Sequence, residues 1–129
     1  MINSNIYNYV NVLDKAADAA YIRNDVLANN IANASTPNYK RQDVQFESVL
    51  QASLAGDGKL SERMEELNLN LSDLNSYIYT DSSSLSYRLD GNNVDPEQEQ
   101  AYLAENQIRY QALIDQMMQE FERYKIVLS

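Results

Sequence analysis

The side chains able to do chemistry in this chain of 129 residues are carboxylates, amides and tyrosines; it has no cysteine and no histidine. The first absence removes disulfides, thiolate nucleophiles and Cys-based zinc sites. The second removes the usual general base and the commonest metal ligand. Asp90, Gly91, Asn92, Asn93, Val94 and Asp95 form the run nearest to a calcium loop. Such a loop needs its glycine at the sixth position, whereas here the glycine stands second and Val94 fills a ligand position. The run reads as a turn. The carboxylates beyond it are spaced around a helix, as on a solvated or subunit-facing surface. No nucleophile–base pair, glycine-rich phosphate loop or metal set emerges, so the reading is of a protein without catalytic residues, cofactor or metal. The ten tyrosines suit packing and interfaces, because tyrosine buries area while keeping a polar tip.

What remains is amide. Asn24, Asn29, Asn30 and Asn33 fall within ten residues, although asparagine competes for nearby backbone groups and is a mediocre helix former. They belong to a stretch in which Ile6, Val10, Leu13, Ala17, Ala20, Asn24, Leu27 and Ile31 recur at alternating steps of four and three. That spacing is a seam of helical heptads, and it also fits one amphipathic helix on an ordinary core. Asn24 lies on the seam, where a buried amide sets register; Asn30 flanks it, and Asn29 and Asn33 point away. Pro37 bars the helix from continuing, which places its end near Asn33–Ser35.

A second long helix opens at Asp95, an N-cap followed by Pro96 and by Gln98 in a capping-box pattern, with Glu97 and Glu99 at the positive end of its dipole. Its seam runs Leu103, Gln107, Tyr110, Ile114, Met117, Phe121, Tyr124, Leu128, with Gln107 in the same register-setting part as Asn24. From 96 to 128 such a helix is roughly 50 Å long. Between the two, residues 46–55 predict a short helix stopped by Gly56. "SERMEELNLNL" holds a helical turn or two, and "SYIYTDSSSLSYRL" reads as two short strands around a serine-rich turn. The expected fold is mainly α: long N- and C-terminal helices forming an antiparallel coiled-coil pair, over 1–35 and 96–129, with a small irregular or β-containing middle over 36–95.

The net charge is −9, and the excess sits late: residues 1–64 carry six basic and seven acidic side chains, residues 65–129 four and twelve. That field argues against nucleic acid and anionic membrane surfaces as partners. No stretch approaches the ~20 apolar residues of a membrane span. The first residues lack the basic start and apolar run of a cleaved signal.

"LANNIANASTPNYKRQDVQF", residues 27–46, resembles the N-terminal signature of bacterial flagellar rod and hook proteins, N-N-[IL]-A-N-x-x-T-P-x-Y, matched by Asn29, Asn30, Ile31, Ala32, Asn33, Thr36, Pro37 and Tyr39. "YRLDGNNVDPEQE", residues 87–99, is similar to the segment that opens the C-terminal helix of small proximal rod subunits. "RQDVQFESVL" (41–50) and "AENQIRYQAL" (104–113) are similar to the B type among them. The resemblance implies a structural subunit of the proximal rod in the flagellar basal body, not an enzyme. It also implies partners: copies of itself, other rod and basal-body proteins, and the flagellar type III export apparatus, which handles such subunits without a cleaved signal. The terminal helices would line the hollow rod, the loop 33–39 would turn the chain where neighbours touch, and the turn 90–95 would start the returning helix. A C-type rod subunit of the same system is the nearest alternative. A small acidic export chaperone is a further one, though it has no need of the "NNIANASTPNY" loop.

Overall fold

The computed structural model describes residues 2–55, 58–82 and 88–128, with side chains from residue 7 onward. Helix α1 spans Ile2–Ala32. It is buried along two adjacent rows. Val10, Ala17, Ala20 and Leu27 are buried and Leu13, Asn24 and Ile31 half-buried on the first, the row expected from the heptads; the side chain of Ile6 lies outside the described residues. The second row, Tyr9, Val12, Ala16, Ala19, Arg23, Val26 and Asn30, has the same steps of four and three and lies beside it. A helix with two such rows needs a neighbour on each side.

Helix α4, Pro96–Leu128, covers the first row. It runs antiparallel to α1, meeting it at Asn30–Glu99, at Ala20–Asn106 and at Tyr7–Tyr124, whose rings stack edge-on with centroids 5.2 Å apart. Its start is set as the sequence predicts. The Asp95 carboxylate accepts hydrogen bonds from the backbone N–H groups of Glu97 and Gln98 at 3.1 and 3.4 Å.

The chain between these helices covers the second row. Strand β1, Gln42–Gln45, leads into helix α2, Glu47–Leu54. Helix α3, Leu60–Leu69, is followed by a single 3-10 turn, Leu71–Asp73, and strand β2, Tyr77–Thr80. Phe46, Met64, Leu67 and Leu74 close on Val12 and Ala19 to make the core, with Tyr9, Ala16, Val49, Leu50 and Leu54 around it. The weakly patterned middle therefore supplies most of the large apolar side chains of this core. Helix α3 is longer than the turn or two expected, because Met64 and Leu67 reach α1 from one face of it.

Two expectations for the middle need revision. Strand β2 pairs with β1, antiparallel with Asp43 opposite Tyr79, whereas the sequence predicts no strand at 42–45, because "QDVQ" carries one apolar residue. The second strand expected after the serine-rich turn falls mainly on 83–87, outside the described residues, as does Gly56. Helix α1 also ends at Ala32, earlier than its proline demands. Among the described residues no helix is long and apolar enough to cross a membrane, and no group of acidic residues is placed to hold a metal ion.

Candidate functional site

Where α1 ends, the two motifs of the sequence meet. The carbonyls of the turn that follows α1 need partners from elsewhere in the chain, and Asn92 supplies one. Its side chain, fully buried, donates from Nδ2 to the carbonyls of Asn33, Ala34 and Thr36 at 2.9, 3.1 and 2.8 Å. Its Oδ1 accepts from the Val94 N–H at 2.7 Å, which fixes the amide's orientation. The Arg88 guanidinium adds a bond to the Ala34 carbonyl at 2.7 Å and one to the Asp90 carboxylate at 2.9 Å.

Backbone contacts draw the two turns together. Asn38 adopts a left-handed φ of 63° and donates its N–H to the Asp90 carbonyl at 2.6 Å. Gly91 faces it at φ 77°, where a Cβ would lie 2.6 Å from Asn38 Oδ1, so both the angle and the space call for glycine. Lys40 Nζ donates to the Gly91 carbonyl. Asn93 spans the next gap: its Oδ1 accepts from the Arg41 N–H at 2.7 Å, and its Nδ2 donates to the Asp81 carbonyl at 2.7 Å.

Asn30 does the corresponding work from the helix side. It is fully buried, and its amide pairs with both backbone groups of Gln42. Nδ2 donates to the Gln42 carbonyl at 2.7 Å, and Oδ1 accepts from its N–H at 2.9 Å. A carboxamide has the donor and acceptor of a peptide group, so Asn30 stands in for a neighbouring strand on the outer edge of β1. Arg23 extends the edge by donating to the Val44 carbonyl at 2.8 Å. The rest of the Asn30 amide is used as well: Nδ2 donates to Glu99 Oε2 at 3.0 Å, and Oδ1 accepts from the Tyr39 hydroxyl at 3.2 Å. Asn29 and Asn33 stay at the surface side of this junction. Asn29 donates to the Tyr39 hydroxyl at 3.2 Å, while Asn33 donates back to the Asn29 carbonyl at 2.8 Å and accepts from the Thr36 hydroxyl at 3.1 Å.

Beneath the amides lies a charge cluster. Arg41, buried, bonds to the carboxylates of Glu99, Asp81 and Asp43 and lies over the Tyr102 ring, 5.4 Å from its centroid. Burial pulls its pKa down, but the bonds from Glu99, Asp43 and Asp81 outweigh it and hold the guanidinium above the ordinary arginine value. Arg23 grips Glu47 with two bonds of 2.6 Å, and those bonds raise the Arg23 pKa against the opposing effect of burial. Burial pushes the Glu47 carboxyl up, yet the bonds from Arg23, aided by Arg109 at 2.9 Å, leave it below its ordinary value. Glu47 and Arg109 lie at the exposed edge of the cluster, but Arg23, Arg41 and Glu99 are buried, and charges that deep are tolerated only when each is paired and hydrogen-bonded. This cluster meets that condition by drawing on α1, β1, α2 and α4 together.

The structure thus joins Asn30, Asn33, Thr36 and Tyr39 to Asp90, Asn92, Asn93 and Val94, while Pro37 and Asp95 stand at the surface and Ile31 is half-buried beside α4. Ala32 is exposed. On α4 the seam differs by one residue at two steps, 107 and 121, while Ile114 is half-buried as expected. Leu103, Tyr110, Met117 and Tyr124 are half-buried as expected, but Gln107 is exposed and its neighbour Asn106 is buried, donating to the Ala20 carbonyl at 2.8 Å. Glu99 and Glu120 are buried, whereas Phe121 is 46% exposed. The row facing α1 is therefore 99, 106, 113, 120 alongside 103, 110, 117, 124. Three of its first four members are polar, so hydropathy points to Gln107, Ile114 and Phe121 instead. Asn106 Oδ1 is the one buried side-chain oxygen without a hydrogen-bond partner among the described residues. Arg23, Arg41, Asn106 and Glu99 are what sequence reading missed. Only Arg23 carried a signal, as a member of the second heptad row of α1.

A family model described as flagella basal body rod protein matches residues 11–40, most of α1 and the loop after it. Over 123 residues the chain is 39% identical to the flagellar basal body rod protein FlgB of Bacillus subtilis (strain 168), covering 91% of this chain and 90% of the relative. It is 33% identical to FlgB of Borrelia hermsii over 93% of this chain and 95% of that one. With FlgB of Escherichia coli (strain K12) it shares 32% identity over 69% and 70% of the two chains.

Proposed function

We infer the mode of assembly from one premise: the chain belongs to the FlgB type of flagellar basal-body rod proteins, and it is a structural subunit of the proximal rod. It works by assembly, with no bond made or broken. Its terminal helices pair as a coiled coil and stack against copies of the chain and other rod proteins to form the hollow shaft that motility requires. The subunit reaches the rod through the flagellar type III apparatus without a cleaved signal. In this division of labour 1–35 and 96–129 are the rod-core helices, and 36–95 is the connecting part that sets their angle. The C-type subunit and the export chaperone are not favoured, since FlgB relatives match nearly the whole chain.

One observation carries this reading. The two segments that resemble rod proteins, far apart in sequence, come together through Asn92 and the end of α1, so they form one junction between the helices proposed to build the shaft. The test is a strain whose own copy of the gene is replaced by an Ala20→Leu variant. Ala20 is buried against α4, and overpacking there costs on the order of 1–3 kcal/mol. Soft-agar swimming should fall, and basal bodies should contain less of the subunit, while its cellular level is unchanged. Swimming and incorporation at wild-type level would remove the α1–α4 pair from the mechanism.

A further inference from the structure

Among the described residues the α1–α4 pair is covered on one side. The middle elements lie against the second row of α1 and reach α4 through Glu99, Tyr102 and Arg109. On the opposite side, Ala20, Tyr21 and Asn24 face Gln107, Tyr110 and Gln111 across a cleft of about 350 Å³. Steps of four and three continue that side of α4 through Ile114, Met118, Phe121, Lys125 and Leu128, of which Met118, Phe121 and Leu128 are 58%, 46% and 61% exposed. The same steps on α1 give Asp14, Asp18, Tyr21, Asp25 and Ala28, all exposed.

The result is a groove between two helices that changes along its length. Beside Asp18 and Asp25 the α4 bank is Gln107, Tyr110 and Gln111. From Ile114 onward, past Asp14, it becomes mostly apolar apart from Lys125, the kind of stripe that a helix buries against another helix. The α1 bank presents three carboxylates, and none of the three is joined to a cation by the ion pairs of the described residues. We propose that this groove seats a helix of a different protein, one with an apolar stripe flanked by lysine or arginine on the side that meets Asp14, Asp18 and Asp25. The proposal rests on the rod-subunit reading and names a partner for it.

Charge decides against a second copy as the occupant. The chain carries −9, and the exposed back of α4 presents Glu97, Asp115 and Glu122 around Ile108 and Ile126. Seating it here would set carboxylates against carboxylates, an arrangement that costs several kcal/mol in an interface and is how wrong partners are rejected. A basic helix gains from the same field.

The test places a photoreactive benzophenone amino acid at Tyr21 in one strain and at Met118 in another, both exposed positions on opposite banks. Motile cells are irradiated, basal bodies are purified, and the cross-linked peptides are sequenced. Both positions should give the same product, joined to a helical segment of another protein with an apolar stripe and flanking Lys or Arg. Its yield should fall about tenfold in an Asp14→Lys, Asp18→Lys background, with less change in Asp14→Asn, Asp18→Asn. A product of two copies of this chain, a partner segment without basic flanks, or no product from either position overturns the proposal. Absence of the subunit from purified basal bodies would instead overturn the rod reading on which it rests.

Discussion

Replacing Asn30 by Asp keeps the side chain's shape and removes its two N–H donors. In the native protein those donors meet the Gln42 carbonyl at 2.7 Å and Glu99 Oε2 at 3.0 Å. In the variant an oxygen faces each of them. Two stranded acceptors cost about 1–3 kcal/mol apiece. If the new carboxyl is ionised, its repulsion with Glu99 at that distance adds a few kcal/mol more, at an effective dielectric of about 20, less what Arg41 offsets. The expected loss at pH 7 is on the order of 3–6 kcal/mol. Asn30→Ala strands the Gln42 groups, which water partly reaches because Gln42 is half-buried, and should lose about 2–4 kcal/mol.

The two variants are separated by pH. A carboxyl beside Glu99 should have its folded-state pKa raised, since the like charge disfavours ionisation. The folded variant then binds more protons than the unfolded chain, so its stability relative to wild type falls as pH rises through the unfolded value near ~3.9 and on to the folded one. Equilibrium urea unfolding followed by circular dichroism, at pH 7 and pH 5, measures both quantities. The deficit of Asn30→Asp should shrink at pH 5 and that of Asn30→Ala should not. If Asn30→Asp is as stable as Asn30→Ala, or its deficit is independent of pH, the assignment of the Asn30 amide is wrong.

Asn92→Leu removes the donor that holds the carbonyls of Asn33, Ala34 and Thr36 and should cost about 2–4 kcal/mol with loss of swimming, whereas Pro37→Ala, at an exposed position after α1 has already ended, should cost under about 1 kcal/mol and leave swimming near normal. Glu47, held below its ordinary value of 4.5, contributes stability that is present above that value and lost as pH falls through the folded pKa; Glu47→Gln should lower the melting temperature at pH 7 and flatten the acid branch of the melting-temperature profile below about pH 4.5. Gly91→Ala meets an unfavourable left-handed φ and the Asn38 side chain, so thermal melting should show a loss of about 1–2 kcal/mol or more. Hydrogen exchange should be slower in residues 9–30 of α1, packed on two sides, than in residues 115–128 of α4, which among the described residues pack on one side, against α1.

The long helices were legible because their apolar residues repeat over many turns, and Asp95 and Pro96 set the start of α4 by local chemistry alone. The first row of α1 could be read residue by residue. Its second row was equally periodic, but its apolar run is broken by Arg23 and Asn30, and nothing local says that an arginine and an amide there are buried. The same blindness rotated the α4 seam. Glu99 and the Asn106 amide N–H face inward to partners on other elements that are not neighbours in sequence, while Glu120 is held by Gln116 and Arg123 of its own helix. Strand β1 escaped notice for a related reason. Its outer edge is completed by two side chains of α1 rather than by another strand, so the short "QDVQ" needs no alternating apolar pattern to be held in place.

The density of asparagine at the end of α1 follows from what that place must do. A helix, a strand edge and a turn from fifty residues downstream converge there, and each brings backbone groups that the others cannot satisfy. An apolar side chain would leave those groups unpaired, and a carboxylate could accept but not donate in a chain already carrying −9. An amide does both, in a plane that matches the peptide group. Asn30 therefore replaces a missing strand and Asn92 a missing helical turn. Apolar seams decide which faces of α1 and α4 meet, but contacts of that kind are non-directional and resist sliding weakly. Directional bonds at the corner fix the angle at which the helices leave it. In a shaft whose subunits must hold their orientation under load, that is where rigidity has to be placed, and it is where this chain concentrates its buried polar groups.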